Sequence, residues 1–426
     1  MQAKIHPQAK RLMLVRGLRS IGQGAMVVDL ALYLRALNWS ATAIGTILSA
    51  GGLFGAALIL VVGVLSDRYG RKRFLLVYEA LTVLCSVIAI WDTHTIFLAL
   101  AIIIAGFGRG QSGAAGPFSP AEQAWMARLV PRSERGRVFS YNSAIGFLGM
   151  ALGAVIGGST QLWQNKFPGY LAFHPVFMLI ALISLVCVLI IASISEAVDE
   201  ASDDAYPTAP SAQIAPLDRT GNTRAESESE IWRKENWAMF KLGLINALNG
   251  LAIGMTGPMM AYWFAARYHV DAAAIGSTMA VAFLLTSVSS VLNGLLAARF
   301  GMVTAVTWVR IVGAILILFL PLSPNFAIAA VIYVARNALN RGTQGARSAL
   351  GASLTRDKRR GFATSINAFS MRITSSIGPT IAGYLLDMNQ FALPFYITAG
   401  LQFIYAGAYQ KMFRSYERDE SPVLEG

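Results

Sequence analysis

The chain has 426 residues, of which 55% are hydrophobic and only 14% are charged, and its formal net charge is +12. A soluble globular protein carries about 25% charged residues, so this composition excludes an ordinary soluble protein. Repeated apolar runs of about 20 residues indicate a polytopic helical membrane protein. The first run is too long for a cleavable signal peptide and lacks a cleavage pattern.

Twelve apolar runs follow in chain order, and each is predicted to be a transmembrane helix. The first six are predicted at about 12–36, 42–64, 74–91, 96–116, 137–158 and 174–195. The fourth is expected to continue as a helix through 117–128. The last six are predicted at about 238–264, 273–296, 303–321, 326–348, 361–387 and 391–412. The predicted fold class is therefore all-α and integral to the membrane.

These runs divide the chain into two halves. The N-terminal six-helix half is predicted at 1–195 and the C-terminal six-helix half at 237–412. Between them, residues 196–236 are acidic and rich in Ser, Thr and Pro, which is typical of a poorly ordered linker. A charged tail follows at 413–426.

Lysine and arginine are distributed unequally between the two sets of short loops. One set carries Arg68, Arg71, Lys72, Arg73, Arg128, Arg132, Arg135, Arg137, Arg299, Arg356, Lys358, Arg359 and Arg360. The other set carries Arg35, Lys166 and Arg267. Basic short loops stay in the cytoplasm, so both termini, the linker and the tail are predicted to be cytoplasmic, in the cytoplasmic (inner or plasma) membrane. This placement of the charge favours lipid headgroups over nucleic acid as its partner.

The two halves repeat each other in sequence. The segment Ala41 to Gly45 corresponds to Ala272 to Gly276, and Gly63 to Gly70 corresponds to Gly294 to Gly301 at the same spacing. Later in each half, Asn142 corresponds to Asn367, Gly153 to Gly378, and Gly158 to Gly383. This register predicts two pseudo-symmetric six-helix bundles with a site between them near mid-membrane.

A basic segment between the second and third spans carries the main motif, Gly63-Val64-Leu65-Ser66-Asp67-Arg68-Tyr69-Gly70-Arg71-Lys72. It resembles the signature loop of the major facilitator superfamily of secondary transporters. The resemblance implies the major facilitator fold of twelve helices in two bundles, alternating access and a monomer. For such a transporter we expect Asp67 to lock one state by contacting the cytoplasmic end of span 11, whereas the second copy has Ala298 at this place. The implied conformational-switch residues are Gly63, Asp67, Arg68, Gly70, Arg71 and Lys72.

Span 1 is polar on one face. At about 100° per residue, an arc of about 140° holds Arg16, Arg19, Gly22, Gln23, Met26, Asp29 and Tyr33. Asp29 lies about 7 Å from the centre of the span toward the outside. An ionisable group inside the membrane is costly and usually functional. Asp29 is therefore interpreted as a carboxylate that takes up and releases a proton, or else as part of a structural salt bridge or an acid near the outer interface.

Two further charged residues are candidates for proton coupling. Arg109 lies deep in span 4, and Arg109 with Gln111 resembles the superfamily's span-4 motif, although Gln111 comes one residue early. The resemblance implies a coupling role for Arg109, and the alternative is a cation that binds backbone carbonyls. Glu79 in span 3 corresponds to Arg310 in span 9. The alternative for Glu79 is a gate salt bridge or a snorkelling side chain.

Small residues recur every three or four positions in span 5, at Gly149, Gly153, Gly157 and Gly158. Their spacing resembles the antiporter motif of the superfamily, with Ala154 where a proline is expected. The proline appears instead in span 11, in Gly378-Pro379. The resemblance implies export, and the alternative is plain helix packing.

Polar side chains in the spans define a candidate substrate cavity. Arg336 and Arg372 each lie about 15 Å into spans 10 and 11, and such cations suit a carboxylate or a phosphate. The alternative is that they bind helix ends and the few buried acids. The cavity candidates are Gln23, Met26, Tyr33, Gln111, Asn142, Asn246, Asn249, Arg336, Asn367 and Arg372.

These observations favour a secondary transporter over an enzyme, because no metalloprotease or serine-hydrolase motif is present. The first hypothesis is proton-coupled efflux of small organic molecules by an antiporter. The alternative is uptake or exchange of organic anions or metabolites through the intramembrane arginines. The predicted partners are a small-molecule substrate, protons and the bilayer. No cofactor or metal is predicted, and Cys85 and Cys187 are expected to be core or lipid-facing residues.

Overall fold

The computed structural model describes residues 6–108, 119–131, 135–195, 228–300, 302–342 and 360–419, and all regular elements in these ranges are helical. In the first half the α-helices are α1 (Pro7–Ala36), α2 (Ala41–Tyr69), α3 (Arg71–Trp91), α4 (Thr95–Ala105), α5 (Ser119–Arg128), α6 (Arg135–Gly158), α7 (Thr160–Trp163) and α8 (His174–Ala192). In the second half they are α9 (Glu228–Thr256), α10 (Met260–Tyr268), α11 (Ala272–Phe300), α12 (Met302–Phe319), α13 (Phe326–Gly342), α14 (Arg360–Asp387) and α15 (Leu393–Asp419).

The helices have the lengths and surfaces that a bilayer requires. Within the described ranges, seven helical segments are long and apolar enough to cross a membrane, and two shorter apolar helices accompany them. On α6 the outer face is apolar and exposed, at Leu148, Leu152 and Val155. The glycines of α6 lie on the opposite face. This division is the one expected for a helix with lipid on one side and protein on the other.

Two predicted spans are interrupted by glycine and proline. Span 4 was expected to be continuous from 96 through 128, but α4 ends at Ala105 because Gly106 and Gly108 have φ of 70° and 78°. These are left-handed conformations that glycine adopts without steric cost. Span 7 was expected to be one helix at 238–264, but it bends between α9 and α10 at Gly257 and Pro258, where the proline has no N–H to donate.

The central segment differs from its predicted extent. A polar linker was predicted at 196–236, whereas α9 already begins at Glu228. Half of the residues from 228 to 237 are glutamate, arginine or lysine, which are good helix formers, so the helix extends beyond the apolar run. Residues 196–227 and 420–426 lie outside the described part of the chain.

The halves meet along two seams at one end of the molecule, the distal end, where α1 ends and α2 begins. In the first seam, α2 packs on α14 with no room for side chains. A Cβ atom on Gly383 would collide with the carbonyl oxygen of Ala41, and one on Gly45 would collide with that of Pro379. The hydroxyl of Thr380 donates to Ser49 Oγ at 2.7 Å, one turn further along.

The second seam joins α6 to α11 and repeats the geometry of the first. A Cβ atom on Gly158 would lie 3.1 Å from the carbonyl oxygen of Ala272, and one on Gly276 would collide with that of Ala154. These four residues occupy the repeat positions of Gly383, Ala41, Gly45 and Pro379. The two halves therefore contact each other symmetrically, as expected for two pseudo-symmetric bundles.

Candidate functional site

Helix α1 runs through the interior of the first bundle with its polar face covered. Arg16, Arg19, Asp29 and Tyr33 are all buried, whereas Leu14 on the other face is exposed. A helix that buries charges inside a membrane bundle must surround them with partners, because lipid provides none. The partners of Arg19 and Asp29 are therefore informative.

Arg19 binds two carboxylates at once. Its Nε lies 2.6 Å from Glu79 Oε1 on α3, and its Nη1 lies 2.6 Å from Glu122 Oε2 on α5. The guanidinium also lies over the ring of Tyr78, 5.6 Å from the centroid. Arg16, one turn away and also buried, interacts electrostatically with Glu122. Two cations thus balance two anions, which lowers the cost of burying the group.

A small cavity of about 30 Å³ lies beside this ion cluster, between α1, α3, α4 and α8. Glu79 Oε2 and Arg19 Nη2 have no hydrogen-bond partner among the described residues, and both residues line the cavity. Gln23 and Thr82 add polar groups, and Met26 adds an apolar wall. The space suits about two water molecules or one small polar group.

Asp29 is isolated from this cluster. Its side chain is fully buried, Oδ2 accepts a hydrogen bond from Thr160 Oγ1 at 2.8 Å, and Oδ1 has no partner among the described residues. Thr160 begins the short helix α7, two residues after the seam glycine Gly158. The acid therefore lies beside the distal contact between the halves.

Other cavity candidates of the first half differ in their surroundings. Tyr33 packs edge-on against Phe173 and Phe177, and its hydroxyl donates to the carbonyl of Ala89 at 3.0 Å. Asn142 on α6 is buried, and its Oδ1 has no partner among the described residues. Tyr33 is thus a packed core residue, whereas Asn142 retains an unused acceptor.

The second bundle holds a polar cluster at the repeat position of Glu79. Arg310 Nη1 donates to Asn249 Oδ1 at 3.0 Å and to Gln402 Oε1 at 3.3 Å. Gln402 Nε2 also donates to Asn249 Oδ1, at 3.2 Å, and Arg310 lies over the ring of Tyr405. A glutamate in one half thus corresponds to an arginine in the other, and the acceptors shown for that arginine are amide oxygens.

The remaining candidates of the second half lie on three helices. Asn246 on α9 and Arg336 on α13 are buried, and Arg372 on α14 is half-buried. The carbonyl of Arg372 accepts hydrogen bonds from the hydroxyls of Ser375 and Ser376, at 3.0 Å and 2.7 Å. These positions place three polar side chains within the membrane-spanning part of the second bundle.

The predicted switch loop is a tight junction between α2 and α3. Gly70 has φ of 90° and is shared by the two helix ends. Lys72 Nζ donates to the carbonyls of Ala192 and Ile194, both at 2.7 Å, and so caps the end of α8. Arg71 is buried, whereas Arg68 is exposed over the ring of Tyr69.

Several predicted residues lie outside the part of the chain that the structure describes. The backbone at Gly63 and Asp67 belongs to α2, but the Asp67 side chain is outside that part, so its predicted contact with span 11 stays a prediction. Arg109 and Gln111 are outside it entirely, and so is the side chain of Asn367.

The antiporter-like glycines of α6 are the contact surface for α1. Cβ atoms on Gly149 and Gly157 would lie 2.5 Å and 2.8 Å from the carbonyl oxygens of Gly17 and Ala25, and one on Gly153 would collide with the α1 backbone. In the second half Gly378 contacts Gly254 of α9 in the same way, and Pro379 lies against α2 as described above. Close helix packing accounts for all these positions.

Sequence reasoning missed three partners. They are Glu122, whose carboxylate binds Arg19, Thr160, which binds Asp29, and Gln402, which binds Arg310. Their only sequence signal is that a polar residue in or next to a span needs a partner, which does not say which residue provides it.

Known proteins resemble the chain in sequence. The sequence model of the Major Facilitator Superfamily matches residues 12–234 and 242–423. An uncharacterized membrane protein of Saccharomyces cerevisiae is 24% identical over 331 residues, which are 74% of each chain. The multi-drug resistance efflux pump PmrA of Streptococcus pneumoniae is 26% identical over 151 residues, which are 35% of each chain.

Solved transporter structures share the fold. A bacterial homolog of the human lysosomal transporter Spinster, inward-facing and unoccupied, has a TM-score of 0.72 at 14% identity and covers 97% of each chain. The nucleoside transporter NupG has a TM-score of 0.73 at 14% identity and covers 95% of this chain and 100% of its own. The fold and the family match, which covers almost the whole sequence, agree: this chain is an integral membrane transporter of the Major Facilitator Superfamily.

Proposed function

We propose that the protein is a proton-coupled exporter of small organic molecules, an antiporter that works by alternating access. The observation that carries the proposal is Asp29, a fully buried carboxyl group with one hydrogen bond and no cation beside it among the described residues. The proton is the proposed coupling ion. The proposed unit is a monomer in the cytoplasmic membrane with both termini in the cytoplasm.

The surroundings of Asp29 suit reversible protonation. A carboxylate without a cationic partner is costly away from water, and one proton removes that cost. Glu79 differs, because Arg19 compensates its charge. Asp29 also lies next to the distal seam through Thr160 and Gly158. Opening of the seam would bring water to the carboxyl group, so exchange of the proton and movement of the halves are proposed to be one event.

The arrangement of the seams supports alternating access, with the distal end closed in this conformation. The distal end is the outer end under the positive-inside rule. Both seams close that end with backbone contacts. The bacterial homologue of the iron transporter ferroportin, whose structure is inward-facing, has a TM-score of 0.66 at 13% identity and covers 95% of this chain and 98% of its own. Rocking of the bundles is the corresponding proposed motion.

The small organic substrate is proposed from the side chains inside the bundles, and export is proposed from a partial relative. Polar side chains such as Gln23, Asn142 and Asn246 lie inside the bundles among apolar ones, which suits a molecule that is partly polar and partly apolar. Export is the activity that the name of the partial relative PmrA states for that protein.

The test is proton movement in liposomes that contain the purified protein and a pH-sensitive dye. Cationic, neutral and anionic solutes are added in turn. At least one solute is expected to drive proton movement, and in the Asp29→Asn variant this signal should fall to the level of protein-free liposomes. Asparagine keeps the size of the side chain and the acceptor for Thr160 but cannot exchange the proton.

The matched control is Thr160→Val, which removes the hydrogen bond and leaves the carboxyl group. This variant should retain solute-driven proton movement. If anionic solutes move without protons and Asp29→Asn transports them normally, the proposed antiport is wrong.

The alternative function is transport of organic anions, and a separate observation favours it. Arg310 and Arg336 are buried in the second bundle, and Arg372 is half-buried there. Intramembrane cations attract carboxylates and phosphates and bind them with charge-assisted hydrogen bonds.

Under this alternative, Arg336→Gln or Arg372→Gln should weaken anion binding by about 10- to 100-fold, because a hydrogen bond to a charged group contributes about 1.5 to 3 kcal/mol. Uptake of radiolabelled organic anions into liposomes measures the effect. Arg267→Gln at the exposed distal end is the control and should bind normally. Equal, small effects at all three positions would count against an anionic substrate.

A further inference from the structure

One carboxylate joins the two halves at the distal end. Asp387, the last residue of α14, accepts hydrogen bonds from the backbone N–H groups of Ala41 and Thr42 at 2.9 Å and 2.8 Å. The hydroxyl of Thr42 donates to the same carboxylate at 2.5 Å. All three donors belong to α2 of the first bundle, whereas the acceptor belongs to the second.

The carboxylate occupies the start of a helix, where unpaired N–H groups favour negative charge. Ser40 caps α2 from within its own half, since its Oγ accepts from the N–H of Ala43 at 3.1 Å. Asp387 accepts from the two N–H groups that precede that of Ala43 in the same turn. The complete cap of α2 therefore exists only while the two halves are in contact.

At the symmetry-related seam, no such bond is found between described residues. At the start of α11, Asp271 takes the place of Ser40 and accepts from the N–H of Ala274 at 2.8 Å, within its own half. The position four residues after Gly158 corresponds to Asp387 and holds Leu162, which is exposed. The inter-bundle cap is thus confined to one of two otherwise matching seams.

We propose that Asp387 is a gating residue, which holds the distal end closed by capping α2 across the two bundles and releases it in each transport cycle. The proposal rests on the alternating-access motion proposed above, but not on the coupling ion, the substrate or the direction. The side chain of Asp387 is exposed, so water can replace all three donors when the seam opens. The hydrogen bonds of Asp387 therefore stabilise the closed conformation but still allow it to open.

The test measures the distance between spin labels at Gln164→Cys and Gln390→Cys, two exposed distal positions in opposite halves. The native cysteines are buried. In lipid nanodiscs, Asp387→Ala should increase the population with the longer distance relative to the shorter one by about three- to tenfold, which is the effect of losing a charged helix cap. Thr42→Val, which removes only the hydroxyl, should cause a smaller increase.

The matched control is Asp271→Ala, which removes a helix cap at the related seam but no bond between the halves. It should leave the ratio of the two populations unchanged. The proposal is wrong if Asp387→Ala leaves the distances unchanged, or if Asp271→Ala changes them equally. A result in which Asp29→Asn abolishes coupling but Asp387→Ala has no effect on distance would refute the gate and leave the proposed antiport standing.

Discussion

Replacing Arg19 with methionine is expected to lower the stability of the first bundle by about 3 to 5 kcal/mol, the cost of leaving a buried charge without its partner. The variant retains Glu79 and Glu122, whose carboxylates would then face each other without the guanidinium between them. For a unit of this size the unfolding temperature should fall by about 10 °C. Thermal unfolding in detergent, followed by tryptophan fluorescence, measures the change.

The control removes every charge of the cluster at once. A quadruple variant, Arg16→Met and Arg19→Met with Glu79→Gln and Glu122→Gln, should recover most of the lost stability, since neutral side chains of similar size have no ion pair to lose. Arg68→Met, at an exposed arginine, should change the unfolding temperature little. If the single and quadruple variants are equally unstable, the ion pairs do not explain the effect.

Replacing Gly153 with leucine is expected to separate α1 from α6 and to prevent assembly of the first bundle. A Cβ atom at this position would collide with the carbonyl oxygen of Ile21 and would lie 2.8 Å from the backbone nitrogen of Ala25. Backbone atoms cannot rotate away as a side chain can, so the cost should exceed the about 1 to 3 kcal/mol usual for overpacking. The yield of monodisperse protein in size-exclusion chromatography measures the effect.

Gly400→Leu provides the comparison for this substitution. Gly400 lies on an exposed face of α15, with no atom within 4 Å of a Cβ built there. The same residue change in a membrane helix should therefore leave the yield and the elution profile unchanged. A normal yield for Gly153→Leu would mean that α1 and α6 do not need this close approach.

The sequence predicted which helix faces are buried but not which residues meet there. Helical periodicity places residues three or four apart on one face, so the polar side of α1 and the glycine side of α6 could be predicted. The partners of Arg19 and Asp29 could not, because Glu122 and Thr160 are 103 and 131 residues away in the chain. The packing of whole helices decides which of many distant polar residues contacts Arg19 or Asp29.

The interruption of span 4 shows a second feature that the sequence pattern does not predict. Its apolar run continues through Gly106, so periodicity alone predicts an unbroken helix. The helix ends because Gly106 adopts a positive φ, a conformation that glycine permits but does not require. Asp387 is a third case, because an acid at the end of a span is ordinary in sequence and its role depends on the other bundle.

At the glycine seams, substitutions can change the closed distal end in one direction only. At Gly45, Gly276 and Gly383 the neighbouring atoms belong to the main chain, and no residue is smaller than glycine. Any change there adds bulk and pushes the halves apart, so substitutions at these positions can only loosen the closed form. A more tightly closed form must therefore come from polar side chains at the exposed edges of the seams. Homologues with different resting conformations should accordingly differ in sequence at these edges, while the seams themselves stay glycine-rich.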